Sequence, residues 1–217
     1  MMIHHLGEEG SILNRFIAEL RAVHTQNDPM RFRRNIERVG EILGYEMSKT
    51  LNYKTETVIT PLGNKEIELP DSNLVLCSVL RAGLPLHQGL LNYFDTAENG
   101  FISAFRKHRG DEDAFEVIVN YFAAPVLTNK ILILTDPMLA TGKTLENVLK
   151  AINKHGTPKQ IHLVSVIGST TGIAHITPIF PENTHLWIAA IDEELSTKGY
   201  IVPGLGDAGD LAFGEKL

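Results

Sequence analysis

The run Asp136-Pro137-Met138-Leu139-Ala140-Thr141-Gly142-Lys143-Thr144 gathers what is needed to hold a phosphate. It follows the apolar stretch Ile131–Thr135 and precedes residues at helical spacing, so it joins a strand to a helix. Ligands of open α/β sheets bind at the carboxyl ends of strands. Asp136 sits at such a tip, and the backbone N–H groups of Ala140-Thr141-Gly142 can wrap an anion. Thr141 and Thr144 add hydroxyl donors, and the helix start offers unpaired N–H groups and the positive end of its dipole. Gly142 permits close backbone approach or positive φ. Gly142-Lys143-Thr144 also ends like a Walker A loop, but that motif needs a glycine five positions before Gly142, where Pro137 stands. Taken alone, the run can also be an ordinary strand-to-helix turn with a threonine cap.

The elements around this loop alternate. Continuous apolar runs at Leu74–Leu80, residues 101–105, Ile131–Thr135, residues 161–167 and residues 186–190 predict strands buried on both faces, as in a parallel sheet. Helical stretches are expected near residues 85–93, 144–155 and 172–176. The class is therefore α/β, with a mainly parallel, doubly wound sheet. Ahead of it, residues 11–24 carry Ile12, Phe16, Ile17, Leu20 and Val23 at helical spacing. Residues 29–51 carry Phe32, Ile36, Val39, Ile42, Leu43 and Met47, with Asn27-Asp28-Pro29 as cap and N1 proline. Arg31, Arg33, Arg34 and Arg38 crowd that second helix, as a solvated face or as an anion or subunit contact. Residues 53–69 read as a β-hairpin around Pro61-Leu62-Gly63-Asn64. Residues 106–120, charged and then alternating, read as a mobile β-arm or lid.

With 217 residues, a single domain is expected. Residues 1–70 form its N-terminal helices and hairpin, 71–192 its core, and 193–217 a C-terminal loop region. Hydrophobic residues make up 43% and charged residues 21%, ordinary values for a globular chain. The formal charge of -6 argues against a nucleic-acid binder. No apolar run approaches the roughly 18 residues of a membrane span, and the N-terminus lacks a signal peptide's basic and apolar stretches. The lone Cys77 lies in an apolar run and is expected to be buried and inert. A cytoplasmic protein is the reading.

An apolar strand, an acidic residue and a short Ala-Thr-Gly-x-Thr turn are similar to the phosphoribosyl pyrophosphate (PRPP) signature of type I phosphoribosyltransferases. Most of that family carry two adjacent acids at the strand end. Asp136-Pro137-Met138-Leu139-Ala140-Thr141-Gly142 resembles the variant found in uracil phosphoribosyltransferases. Residues 79–84, Val-Leu-Arg-Ala-Gly-Leu, resemble that family's pyrophosphate loop. Residues 199–210, Gly-Tyr-Ile-Val-Pro-Gly-Leu-Gly-Asp-Ala-Gly-Asp, resemble its uracil loop, and Phe213-Gly214 continues the match. Residues 190–192, Ala-Ile-Asp, also fit. Weaker likeness covers Phe32-Arg33 and Tyr45-Glu46, so the resemblance spans nearly the whole chain.

The resemblance implies transfer of the 5-phosphoribosyl group from PRPP to uracil, giving UMP and pyrophosphate in pyrimidine salvage. It implies the 5′-phosphate on the loop from Ala140 to Thr144, within a PRPP site that includes Pro137, Met138 and Leu139. It also implies Asp136 at the ribose hydroxyls, and Arg81 and Arg106 at PRPP. Uracil would be read by Ile201, Gly206, Asp207 and Ala208, with Asp207 also near PRPP. Magnesium would bind through substrate and water rather than a protein cage. PRPP and uracil are the expected partners, with a GTP effector and a homodimer or larger homo-oligomer known in the family. Two positions depart from the pattern. Lys107-His108-Arg109 replaces the usual Asn-Glu-Glu, so Arg106, Lys107 and Arg109 all remain open as pyrophosphate contacts. Lys143 replaces a glycine and either adds phosphate affinity or points to solvent. The alternative from another functional class is a nucleotide-binding regulator that keeps the phosphoribosyltransferase fold.

Overall fold

The computed structural model describes residues 1–108 and 115–216, with backbone alone at 105–108, 115–118 and 120. Its centre is an eight-stranded sheet. Strands β1 (Met2–His5), β4 (Leu74–Leu80), β5 (Glu98–His108), β7 (Ile131–Thr135), β9 (Gln160–Ser169) and β10 (His185–Asp192) run parallel to their neighbours in the order β1-β10-β9-β7-β4-β5. β6 (Phe115–Ala123) closes the far edge antiparallel to β5, and the short β8 (Met138–Leu139) pairs with β9. A separate hairpin, β2 (Tyr53–Thr60) and β3 (Gly63–Pro70), stands outside the sheet. From β4 onward the parallel strands follow the doubly wound order whose switch point lies between the first and third strands, here β4 and β7.

The apolar runs of β4, β7, β9 and β10 are buried on both faces, as expected, whereas on β5 Ile102 is buried and Phe101, Ser103 and Ala104 are only partly covered. Leu74, Leu76, Ile133, Val164 and Trp187 pack on one side, against helices α1 (Ile12–Arg21), α3 (Pro29–Ser48) and α4 (Gly83–Leu91). Val75, Cys77, Leu132, Leu134, Leu163 and Ile188 pack on the other, against α5 (Lys143–Ile152) and α6 (Thr170–Ile176). Cys77 is fully buried, and burial pushes its thiol up to about 12.

The N-terminal helices differ in detail from the sequence pattern. The chain leaves helical geometry at Ala22, so α1 stops and a separate turn, α2 (Val23–Gln26), follows. Val23 is exposed as a result, and Leu13 rather than Ile12 faces the core. Asp28 caps α3 by accepting from the N–H groups of Met30 and Arg31, a contact worth about 1 kcal/mol. The arginines of α3 are engaged within the chain. Arg31 holds Glu19 at 2.9 Å, and with Asn35 it lowers that carboxyl to about 2. Arg33 donates to the Ala212 carbonyl at 2.6 Å, Arg34 pairs with Glu37 at 2.6 Å, and Arg38 lies over the Phe16 ring. Arg31, Arg33 and Arg38 thus brace α3 against α1 and the C-terminus, while exposed Arg34 pairs along α3 itself.

The edge strand β1, the short β8, the ribbon β11 (Glu194–Leu195) with β12 (Ile201–Val202), and α7 (Ala208–Phe213) have no counterpart in the sequence reading. Within the span 106–120 expected to form an arm, Arg106, Lys107 and His108 of β5 pair antiparallel with Val117, Glu116 and Phe115 of β6. Arg109 and its neighbours to residue 114 lie outside the described residues. Among the described residues, no helix is long and apolar enough to cross a membrane.

Candidate active site

Three loops meet at the carboxyl ends of the central strands. The first joins β7 to α5. Asp136, buried at the strand tip, receives the Met138 N–H on Oδ1 at 3.2 Å. Two serines of β9 hold the loop's carbonyls from behind. Ser165 Oγ donates to Asp136 O and Ser169 Oγ to Ala140 O, each at 2.6 Å. The Pro137 carbonyl accepts from the Val166 and Ile167 N–H groups, which turns Pro137 into the sheet. Gly142 begins α5 at φ 76°, in the left-handed region, and has no side chain to cap the helix. Asp136, Met138, Ala140, Thr141, Gly142 and Thr144 line one small pocket in front of the helix start, where N–H groups and the helix dipole favour an anion. Lys143 is exposed and does not line it.

The second loop follows β4, beside the first across the switch point. The hydroxyls of Ser78 and Thr135 join the two strand ends at 2.8 Å. The peptide between Leu80 and Arg81 is cis. Arg81 reaches past the third loop to the helix that follows it, donating to Asp210 Oδ1 on α7 at 2.7 Å and to the Gly214 carbonyl just beyond α7 at 3.1 Å.

The third loop connects β12 to α7, and its Val202–Pro203 peptide is cis. Ile201 and Ala208 are buried, and Gly206 takes φ 85°. Asp207 caps α7 by accepting from the Gly209 and Asp210 N–H groups at 2.9 and 3.1 Å, while its other oxygen faces Lys216. The structure thus links Arg81 with α7, whose first residue is Ala208 and whose cap is Asp207; Gly206 and Ile201 lie ahead of that cap. Arg106 lies on β5 opposite Val117, on the adjoining strand, and only its backbone is described. A larger groove of about 340 Å³ lies between β6 and α5 and contains none of the predicted site residues.

The chain from residue 9 to residue 215 matches the family model "Uracil phosphoribosyltransferase". The chain belongs to the uracil phosphoribosyltransferase family. Among proteins of that name, one from Porphyromonas gingivalis is 53% identical over 217 residues, covering all of both chains. Another, from Pyrococcus furiosus, is 41% identical and covers 97% of this chain and 89% of its own. The solved structure of the AQ2163 protein from Aquifex aeolicus superposes with a TM-score of 0.87 at 31% identity, covering 98% of each chain.

Sequence reasoning missed the residues that hold these loops. Asp210 lies inside a quoted motif, yet only the structure gives it a partner in Arg81. Ser165 falls inside the apolar run 161–167 and Ser169 just beyond it, and neither carries a signal of its own. Arg21, which reaches Asp192 and Gly204, ends an amphipathic helix and carries no signal of its own.

Proposed function

We propose that this uracil phosphoribosyltransferase uses the three loops as one site that transfers the 5-phosphoribosyl group from PRPP to uracil, giving UMP and pyrophosphate. The bond from ribose C1 to the pyrophosphate oxygen breaks, uracil N1 bonds to C1, and the N1 proton leaves. Positive charge builds on the sugar and negative charge on the leaving group, so positioning and electrostatics supply the catalysis. The observation that carries this reading is the juxtaposition of the loops. Arg81 bridges from the end of β4 to α7, and the Ser78–Thr135 bond ties the end of β4 to the end of β7, which leads into the β7–α5 pocket. In the proposal the helix start at Ala140 to Thr144 takes the 5′-phosphate, and Asp136 faces the ribose hydroxyls. Arg81, with Arg106 from the arm, takes the pyrophosphate. Backbone groups of Ile201, Gly206 and Ala208 read the uracil edge, with Asp207 fixing their turn.

A PRPP donor implies magnesium. The donors present fit an ion that arrives with substrate. Asp136 offers one buried carboxylate, and among the described residues no group of three or more His, Cys, Asp and Glu side chains is arranged to hold a metal. Bound there, the ion would neutralise charge developing on the pyrophosphate oxygens.

The reading extends to a cytoplasmic homo-oligomer. The β2–β3 hairpin leaves Ile59 84% and Leu62 100% exposed. An isolated two-stranded hairpin is marginal in water, so a second copy of the chain is its natural cover. A GTP effector follows from the family resemblance alone.

The test is pyrophosphate release from PRPP and magnesium with uracil, cytosine, orotate or hypoxanthine. Release with uracil alone is expected, because a site that hydrogen-bonds the base edge rejects a base with the reversed pattern. Release with hypoxanthine but not uracil overturns the reading, and binding of nucleotide without release with any base favours the regulator.

A further inference from the structure

The loop that would read uracil is held by a clasp outside the three catalytic loops. Arg21, at the end of α1, grips Asp192, at the end of β10, with two parallel bonds of 2.7 Å. The same pair holds both backbone groups of Gly204. Its N–H donates to Asp192 Oδ2 at 2.8 Å, and its carbonyl accepts from Arg21 at 3.1 Å. Gly204 has φ 59°, and a Cβ there would lie 2.1 Å from the Ile201 carbonyl, so the loop is tightly folded at this point. One residue on, Gln26 donates to the Leu205 carbonyl at 3.2 Å. Asp192 is 8% exposed, and the Arg21 guanidinium holds its carboxyl below the usual carboxylate range.

We propose that Arg21 is a positioning residue for the acceptor base, acting through Asp192 and Gly204. The inference rests on residues 201–208 being the base loop. Backbone groups discriminate a base only if their positions are fixed before it arrives, and the clasp fixes the loop immediately upstream of Gly206. The geometry requires a fork. One guanidinium spans both carboxylate oxygens and still reaches a carbonyl, which a lysine ammonium cannot reproduce. Arg21 contacts Asp192 and Gly204, two residues ahead of Gly206 and three ahead of Asp207, the one residue of this loop also assigned to PRPP, so its effect should fall more on uracil than on PRPP.

Arg21→Lys keeps the charge beside Asp192 and removes the fork. Its KM for uracil is expected to rise about ten- to hundredfold, while KM for PRPP stays within about twofold. Amide exchange of residues 201–208 should accelerate, with α5 unchanged. Gln26→Leu, which removes the donor to the Leu205, Leu20 and Arg21 carbonyls but keeps the Arg21 guanidinium on Asp192, should move uracil KM in the same direction by less. It also serves as the test if Arg21→Lys does not fold. Unchanged uracil KM in the folded variant overturns the proposal. So does a parallel loss for uracil and PRPP with a matching fall in kcat, the mark of general loosening. Wild-type protein that releases no pyrophosphate with uracil sinks the functional reading instead, and the exchange measurement still reads the clasp.

Discussion

Gly172→Ala is the sharpest test that the β7–α5 loop must sit where it does. Gly172 lies in α6, outside the three loops proposed to meet substrate, and its N–H donates to Ser169 Oγ at 2.8 Å. A Cβ at this position would lie 2.2 Å from the Ala140 carbonyl oxygen and 2.9 Å from that of Leu139. Both obstacles are backbone, and Ser169 holds the first at 2.6 Å. An ordinary contact needs about 3.2 Å or more, so loop and helix must part by roughly 1 Å. Overpacking of this kind costs about 1–3 kcal/mol of stability. A displacement of roughly 1 Å at a positioned group costs about a hundredfold in rate, or about 2.7 kcal/mol. The expected result is a folded protein whose kcat/KM for PRPP falls by about that factor, with KM for uracil little changed. Steady-state kinetics with each substrate varied in turn, beside a thermal melt, measure both. Wild-type PRPP kinetics in a folded Gly172→Ala protein would refute the argument that this interlock places the phosphate loop.

Three further outcomes follow from the same contacts. Asp136→Asn keeps an oxygen to accept from the Met138 N–H but removes the charge, so kcat should fall about 10²- to 10³-fold with unchanged circular dichroism; unchanged turnover would remove Asp136 from the chemistry. His162 is fully buried, takes the Trp187 indole N–H on Nδ1 at 3.0 Å, and is pushed by burial down to about 3. An unfolded histidine titrates near about 6.5, so between those values the unfolded chain binds a proton that the native one does not, and stability falls with falling pH. Urea melts at pH 7 and pH 5 should differ by about 2 kcal/mol from this group, with His4, His87 and His185 lowered in the same sense. A difference that survives intact in folded His162→Gln would assign it elsewhere. Cys77, fully buried with a raised thiol, should react with a thiol reagent only after denaturation, and prompt labelling of native protein would contradict its burial.

Much of the fold was legible because the signals are local. The parallel strands announce themselves as apolar runs, since both of their faces are covered and neither needs a polar alternation. The hairpin follows from its turn residues, and Asp28-Pro29 marks the start of α3. β1 escaped notice for the opposite reason. Its four residues leave Met2 and Ile3 exposed, and they are a strand only because β10, at the other end of the chain, supplies the pairing. α7 was hidden by Asp207-Ala208-Gly209, which reads as loop until Asp207 is seen to cap a helix.

The site divides along the same line. Groups suited to meet substrate are mostly backbone atoms in short contiguous loops, and such loops need particular residues at fixed offsets, as Gly142 at φ 76° and Gly204 at φ 59° illustrate. That requirement writes a readable motif. The groups that hold those loops are single side chains on elements far away in sequence: Ser165 and Ser169 behind Asp136 and Ala140, Arg33 on Ala212, and Arg21 on Asp192 and Gly204. Each needs one residue type at one place, with nothing nearby to mark it, so an arginine on a strut looks like an arginine on a solvated face. The four arginines of α3 show this directly, since the pattern that suggested an open charged face belongs to residues already engaged within the chain. The loops proposed to meet substrate are therefore legible here at the level of motif, while the side chains that hold them in place are revealed only by the folded chain.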